Sequence, residues 1–159
     1  MPFIRQIPNA LDDEHRASLA LLNQLERAVM RGTEAVWAPQ ARPLLGLLDQ
    51  EVAHHFGFEE DELFPRLADA GDGDIAALLA QEHADIRELG DELRPLAQAL
   101  VEHGTLEPEQ RAAFKRGVLE LVERMLSHIQ KETMALLPLL DDLLDEDTDR
   151  ELSMAYASA

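Results

Sequence analysis

The sequence predicts an all-α protein, an antiparallel up-down-up-down four-helix bundle with a short fifth helix near its C-terminal end. Three observations carry that expectation. Leu and Ala dominate the apolar residues while aromatics make up only 4%, a balance that favours helix over sheet. Apolar residues recur at helical spacing in four long segments joined by short connections, the pattern of an antiparallel bundle. A weak internal repeat also divides the chain into two similar hairpins.

Helix one is expected to start at an Asn9 cap just after Pro8, to carry Leu11, Leu22, Leu25 and Val29 on one face, and to stop at Gly32. A loop around Trp37 and Pro39 follows in this reading, and helix two runs from about Pro43 to Asp69, ending at the turn signal AGDGD. Asp74 is placed as the cap of helix three, which continues to about His103 and Gly104. Helix four opens at EPEQ with Pro108 in its first turn and runs through Leu121, Met125 and Leu136 into the acidic stretch LLDDLLDEDTD. Thr148 and Glu151 have the spacing of a capping box and so mark the fifth helix.

With 159 residues, the chain is expected to be a single domain over 1–159, large enough to bury a sizeable core. The formal charge of -18 repels phosphate backbones and anionic membrane surfaces, which argues against nucleic acid or a membrane as partner. There is no cysteine, so disulfides, thiolate metal sites and thiol catalysis are excluded. No apolar run approaches the roughly 18 residues of a membrane span and the N-terminus lacks a signal-type apolar region, so a cytoplasmic location is the expectation. Phosphate-binding glycine loops and nucleophile elbows are absent as well, leaving nucleotide-dependent and hydrolytic functions without support.

The repeat matters more than any single motif. HFGFEEDELFP at 55–65 aligns without gaps on HIQKETMALLP at 128–138, sharing His, Glu, Leu and Pro at the same offsets. Glu14 and His15 likewise match Glu82 and His83, with Leu21 and Leu25 matching Leu89 and Leu93. Each half is therefore a helix with one histidine followed by a helix with His-x-x-x-Glu. On a helix, residues four apart share a face, so His55 points with Glu59 and His128 with Glu132. For such a pair alone, a surface contact is the commoner explanation.

What distinguishes these pairs is their face. The stripe Leu48, Val52, Leu63 passes through His55 and Glu59, and Val118, Leu121, Met125 and Leu136 bracket His128 and Glu132. His15 lies in line with Leu11 and Leu22, and His83 with Leu79 and Ile86. Four imidazoles and two carboxylates thus point into the core, where unpartnered ionised carboxylates cost several kcal/mol each. Mutual hydrogen bonding is one way to compensate them, and metal ions are a better one, since imidazole and carboxylate are natural metal ligands and bundle cores can build such sites.

Six protein donors exceed one four-coordinate zinc and are too imidazole-rich for calcium or magnesium, so two ions fit best. His15 and His55 would serve one ion, His83 and His128 the other, with Glu59 and Glu132 bridging. An oxo or hydroxo bridge would add a fifth donor to each and leave a position for a small ligand such as dioxygen or nitric oxide. Iron, manganese and zinc all accept this donor set.

At these residues the sequence resembles the hemerythrin-like, or HHE cation-binding, family of four-helix bundles with a non-haem di-iron centre. The resemblance runs from about residue 9 to residue 140 and includes the HF-x-x-EE-x-x-LFP run in HFGFEEDELFP. The oxygen-carrying members have a His-x-x-x-His pair on helix three, whereas Leu79 and Arg87 stand four residues either side of His83 here. The four-His, two-Glu set instead looks like iron-centre repair proteins and hemerythrin-like sensors. The repair proteins usually carry a cysteine-containing domain before the bundle, which is not seen in this sequence.

The leading expectation is a non-haem di-iron protein that senses, binds or handles dioxygen, nitric oxide or iron without a conventional catalytic cycle. The alternatives are an oxidoreductase or iron-donating repair factor using the same centre, and a structural bundle with zinc or incidental metal. Around the six candidates, His54 lies about 100° round the helix from His55 and is read as a surface or supporting residue. His103 reads as structural at a helix end, and Phe56, Phe58 and Phe64 as packing. Glu14, Glu60 and Glu82 read as solvated or supporting, with Glu60 the best spare ligand. Pro65 and Pro138 each stand six residues after a glutamate, where they are expected to kink the helix and open that end of the bundle.

Overall fold

A computed structural model describes residues 2–159 as five helices, with no strand among them. α1 is Gln6–Arg31, α2 covers residues 34–69, α3 is Gly73–His103, α4 covers residues 108–143, and α5 is Glu146–Ser158. Each of the first three packs against the next in the chain, and α1 also packs on α4, closing a ring around a shared core. α5 lies on α1.

Several boundaries differ from the sequence reading, each for a physical reason. α1 begins three residues before Asn9, whose side chain reaches back to the chain entry, accepting from the Phe3 N–H and donating to the carbonyls of Phe3 and Arg5. The first N–H groups of α1, at Gln6 and Ile7, find their acceptor far away in sequence, on the two carboxylate oxygens of Asp149 at 2.8 and 2.9 Å. No local pattern reveals a cap contributed by another helix.

The expected loop around Trp37 and Pro39 is instead the first part of α2, which runs on through Pro39 and Pro43. Trp37 overrides the two helix breakers. Its ring is buried against Phe114, with centroids 5.7 Å apart, and its indole N–H donates to the Ala28 carbonyl at 2.9 Å. At α3, Gly73 is the first helical residue and Asp74 lies in the first turn, where its charge suits the helix dipole without acting as the cap. Gly104 ends α3 with a φ of 72°, the left-handed geometry of a helix stop. α5 is capped by Asp145, which accepts the Thr148 N–H at 2.7 Å, and not by Thr148 itself.

Pro65 and Pro138 do not break their helices. Instead the backbone widens ahead of each into π turns, Glu59–Leu63 in α2 and Glu132–Leu136 in α4, and then resumes α geometry. A wider turn leaves room for the ring and for the missing N–H. A third such stretch, Leu48–His55, ends at the first histidine of the repeat.

The core has two parts, one on either side of the six polar residues. Leu22, Leu25, Leu44, Phe56, Ile86, Phe114, Val118 and Met125 belong to the larger part. Gly117 permits close approach of α3 and α4 there, since a Cβ at that position would meet Leu93 Cδ2 at 2.6 Å. Ile7, Leu11, Leu63, Leu67, Leu136, Leu140 and Leu152 belong to the other, which closes the end of the bundle that the two prolines were expected to open.

Candidate metal centre

The six residues singled out by the sequence meet between the two parts of the core. α1 supplies His15, α2 His55 and Glu59, α3 His83, and α4 His128 and Glu132, all between 0 and 1% exposed. Each His-x-x-x-Glu pair draws on the widened part of its helix: His55 ends one π stretch, Glu59 and Glu132 each begin another, and His128 stands in the regular α turn just before Glu132. Widened turns of this kind re-aim side chains and recur at functional sites.

All four imidazoles turn Nε2 toward the two carboxylates. On Glu132, Oε1 lies 2.9 Å from His15 Nε2 and 3.9 Å from His55 Nε2, while Oε2 lies 3.0 Å from His128 Nε2 and 3.4 Å from His83 Nε2. On Glu59, Oε2 faces His55 Nε2 and Oε1 faces His83 Nε2, both at 3.3 Å. Each carboxylate therefore directs one oxygen at the histidines of the first hairpin and the other at those of the second. Two groups of four donors result, His15, His55, Glu59, Glu132 and Glu59, His83, His128, Glu132, and they have both glutamates in common.

This interior is not self-sufficient. Neither Glu59 oxygen makes a hydrogen bond, and neither nitrogen of His55 does, because their contacts at 3.1–3.3 Å miss hydrogen-bond alignment. His83 Nε2 and His128 Nε2 stand 3.1 Å apart, so a proton between them satisfies both only if one ring donates to the other. A carboxylate wholly out of water and without a hydrogen bond costs several kcal/mol unless a cation compensates it. The donor set, neutral imidazole and carboxylate at short mutual distances, fits that need.

Without a cation, the imidazoles themselves carry the compensating charge. Burial opposes charging His55, but Glu59 and Glu51 outweigh it and hold its pKa well above the ordinary value. His83 is likewise opposed by burial and raised to about 9 by the close carboxylates of Glu132 and Glu59. Burial also opposes charging His128, and Glu132 raises it. For Glu132 burial favours the neutral acid, yet hydrogen bonds from His128, His15 and His83 hold its carboxyl well below the usual range.

The outward nitrogens are held by a second layer. His83 Nδ1 contacts Glu60 at 2.7 Å, His128 Nδ1 contacts Glu82 at 2.9 Å, and His15 Nδ1 contacts the Thr133 hydroxyl at 3.3 Å. His55 Nδ1 has two carboxylates beside it, Glu51 at 3.1 Å and Glu14 at 3.2 Å. These acids are anchored in turn: Glu60 by the Arg87 guanidinium at 2.8 and 3.0 Å, Glu82 by Lys131, and Glu14 by the Tyr156 hydroxyl. Burial alone would raise the pKa of Glu14, Glu60 and Glu82, but these partners lower all three. Such outer carboxylates fix which nitrogen of an imidazole faces inward and make it a better donor.

Glu60 therefore supports His83 from outside instead of joining the inner group, and Glu14 and Glu82 hold the supporting places open to them in the sequence reading. Sequence reasoning missed Glu51, Thr133 and Tyr156. Glu51 stands four residues before His55, the same spacing that singled out Glu59, so a signal for it existed. Nothing marked Tyr156, which belongs to a separate helix. His54 stacks on that tyrosine, centroids 4.7 Å apart, and His103 is an exposed helix-end residue beside Glu102. Phe56 packs flat on His83 at 3.8 Å, and Phe64 also lies against that ring at 5.4 Å, so both shape the centre as well as the core.

The helices and their buried histidines and glutamates define an all-helical protein of the cation-binding type. The hemerythrin HHE cation-binding domain matches residues 6–140, and the chain belongs to that family. No curated protein matches the chain significantly. No helix among the described residues is long and apolar enough to cross a membrane.

Proposed function

We propose that the protein is a non-haem di-iron protein in which His15 and His55 hold one ion, His83 and His128 the other, and Glu59 and Glu132 bridge them. One observation carries the reading: each glutamate aims its two oxygens at opposite histidine pairs, and the carboxylate of Glu59 has no hydrogen bond of its own. Two iron ions there would supply a redox-active pair able to bind dioxygen or nitric oxide, or iron that can be taken up and released. The role we favour is sensing or handling one of these species, without a conventional catalytic cycle.

The surrounding residues support a small ligand. Phe56 and Leu11 are wholly buried near the site, and Phe58 and Phe64 nearly so, which excludes bulk water. A groove of about 270 Å³ between α1 and α2 is lined by Glu14, Ser18 and Glu51 at its polar side, next to His55. A diatomic molecule or an ion fits in this groove, and Glu59 and Glu132, wholly buried, are out of reach of a large organic substrate. The same reading takes the whole chain, 1–159, as one domain whose four long helices run up-down-up-down, as the ring of helix contacts supports.

The test is metal analysis of anaerobically purified protein, followed by its optical spectrum on exposure to oxygen and by assay with peroxide or nitric oxide plus reductant. Two irons per chain with a ligand-dependent spectrum and no turnover support the proposed role, whereas sustained turnover shifts it to an oxidoreductase. Protein that takes up no iron from iron-replete cells, or a His55→Ala variant with unchanged iron content, contradicts the di-iron reading.

A further inference from the structure

α5 lies beyond the matched residues 6–140, yet it reaches the centre through one side chain. Tyr156 is buried, stacks on His54 at 4.7 Å with the rings 14° apart, and packs on Phe58 at 4.6 Å. Its hydroxyl donates to Glu14 Oε2, the same oxygen that lies 3.2 Å from His55 Nδ1. Asp149, about two helical turns earlier on the same face, pins α5 to the start of α1 through the N–H groups of Gln6 and Ile7, so the position of the tyrosine is fixed by the fold.

Two carboxylates beside one imidazole N–H compete. Glu51 is buried and comes from the same helix as His55, four residues back, so it has little freedom. Glu14 comes from α1 and is 35% exposed, and water is its natural alternative partner. Mutual repulsion of the two acids favours that alternative. The Tyr156 hydroxyl opposes it, since a hydrogen bond to a carboxylate is of the stronger kind.

We infer that Tyr156 is a positioning residue for the metal site: it holds Glu14 against His55 Nδ1, and Glu14 in turn orients His55 with Nε2 toward the ion it shares with His15. The inference rests on the di-iron reading above. α5 is then a working part of the site and not an appendage to the bundle. Its effect is confined to one half of the centre, because His83 and His128 draw on Glu60 and Glu82 instead.

The experiment is a Co(II) titration of the metal-free chain, followed by its visible absorption, for wild type, Tyr156→Phe, Glu14→Ala and the double variant. Phe keeps the ring packing on His54 and Phe58 and removes only the hydroxyl. Removing an outer partner of a metal-bound histidine lowers affinity about 10- to 100-fold, and the remaining Glu51 places this case near the lower end. Expected in Tyr156→Phe is one binding step weakened about tenfold with altered absorption, the other step unchanged, and thermal stability close to wild type. Adding Tyr156→Phe to Glu14→Ala should change nothing further, because both act on the same contact. A Tyr156→Phe titration and spectrum that superimpose on wild type overturn the inference, as does equal weakening of both steps together with loss of stability. Wild type that binds no cobalt overturns the metal reading itself, which separates the two failures.

Discussion

Glu59 and Glu132 occupy equivalent places in their helices: each opens a five-residue stretch of π turns, and each stands six residues before a proline, Pro65 and Pro138. The proline supplies the reason for the wide turn, since a regular α turn would press its ring on the carbonyl four residues back. The wide turn in turn sets the direction of the glutamate, placing one oxygen toward each histidine pair.

Pro138→Ala should therefore weaken metal binding while leaving the helix intact. With an N–H restored at 138, the backbone can tighten into α geometry, which rotates Glu132 relative to His128. The expected outcome is metal affinity at least about tenfold lower, as for other losses of ligand support, with unchanged helical circular dichroism. Calorimetric metal titration of the variant and wild type checks it.

Removing the charge of Glu59 should affect folding and metal binding alike. In the metal-free chain Glu59 offsets the charge on His55 and His83, so Glu59→Gln should lower metal-free stability, as loss of one partner of a buried charge pair does. Metal at 100 times its dissociation constant should stabilise wild type by about 2.7 kcal/mol and the variant by much less. Thermal unfolding with and without added metal reads both effects.

Asp149 ties the two ends of the chain together. Asp149→Ala leaves the Gln6 and Ile7 N–H groups at the start of α1 without acceptors, for an expected loss of about 1–3 kcal/mol. Hydrogen exchange should show faster exchange at Gln6, at Ile7 and throughout Glu146–Ser158, with the centres of α3 and α4 unchanged. Uniform loss of protection across all helices would contradict this local role.

Acid should loosen α5 before the rest of the bundle. The Asp145 carboxyl is held below its ordinary value of 3.8 by the Thr148 N–H and hydroxyl. A folded-state pKa below the unfolded one gives stabilisation that is complete above the unfolded value and fades as pH falls through the folded one. Signals from Glu146–Ser158 should therefore weaken below about pH 4, and Asp145→Asn should flatten that dependence, as followed by NMR across an acid titration.

The helices and the inner six residues were legible because they depend on periodicity. A histidine bound for the centre must lie on the apolar stripe of its own helix, so His15, His55, His83 and His128 reveal their direction within a few residues of sequence. The internal repeat then ties Glu59 to Glu132. What escaped depends on partners far away in the chain. Trp37 holds Pro39 inside a helix by packing on Phe114 and bonding Ala28, and neither contact leaves a mark near residue 37. Glu14 and Glu82 read as solvated or supporting acids alike, and only His55 and His128, brought beside them from other helices, decide between the two. Tyr156 and Asp149 are invisible for the same reason, since their roles exist only once α5 lies on α1.

The central claim, two ions sharing Glu59 and Glu132, is tested most directly by Mössbauer spectroscopy of the iron-loaded, oxidised protein in an applied magnetic field. Two irons bridged through common ligands are magnetically coupled, and the prediction is a coupled pair with a diamagnetic ground state that is lost in Glu132→Ala. Magnetically isolated iron in wild type, or one iron per chain at saturation, would contradict it.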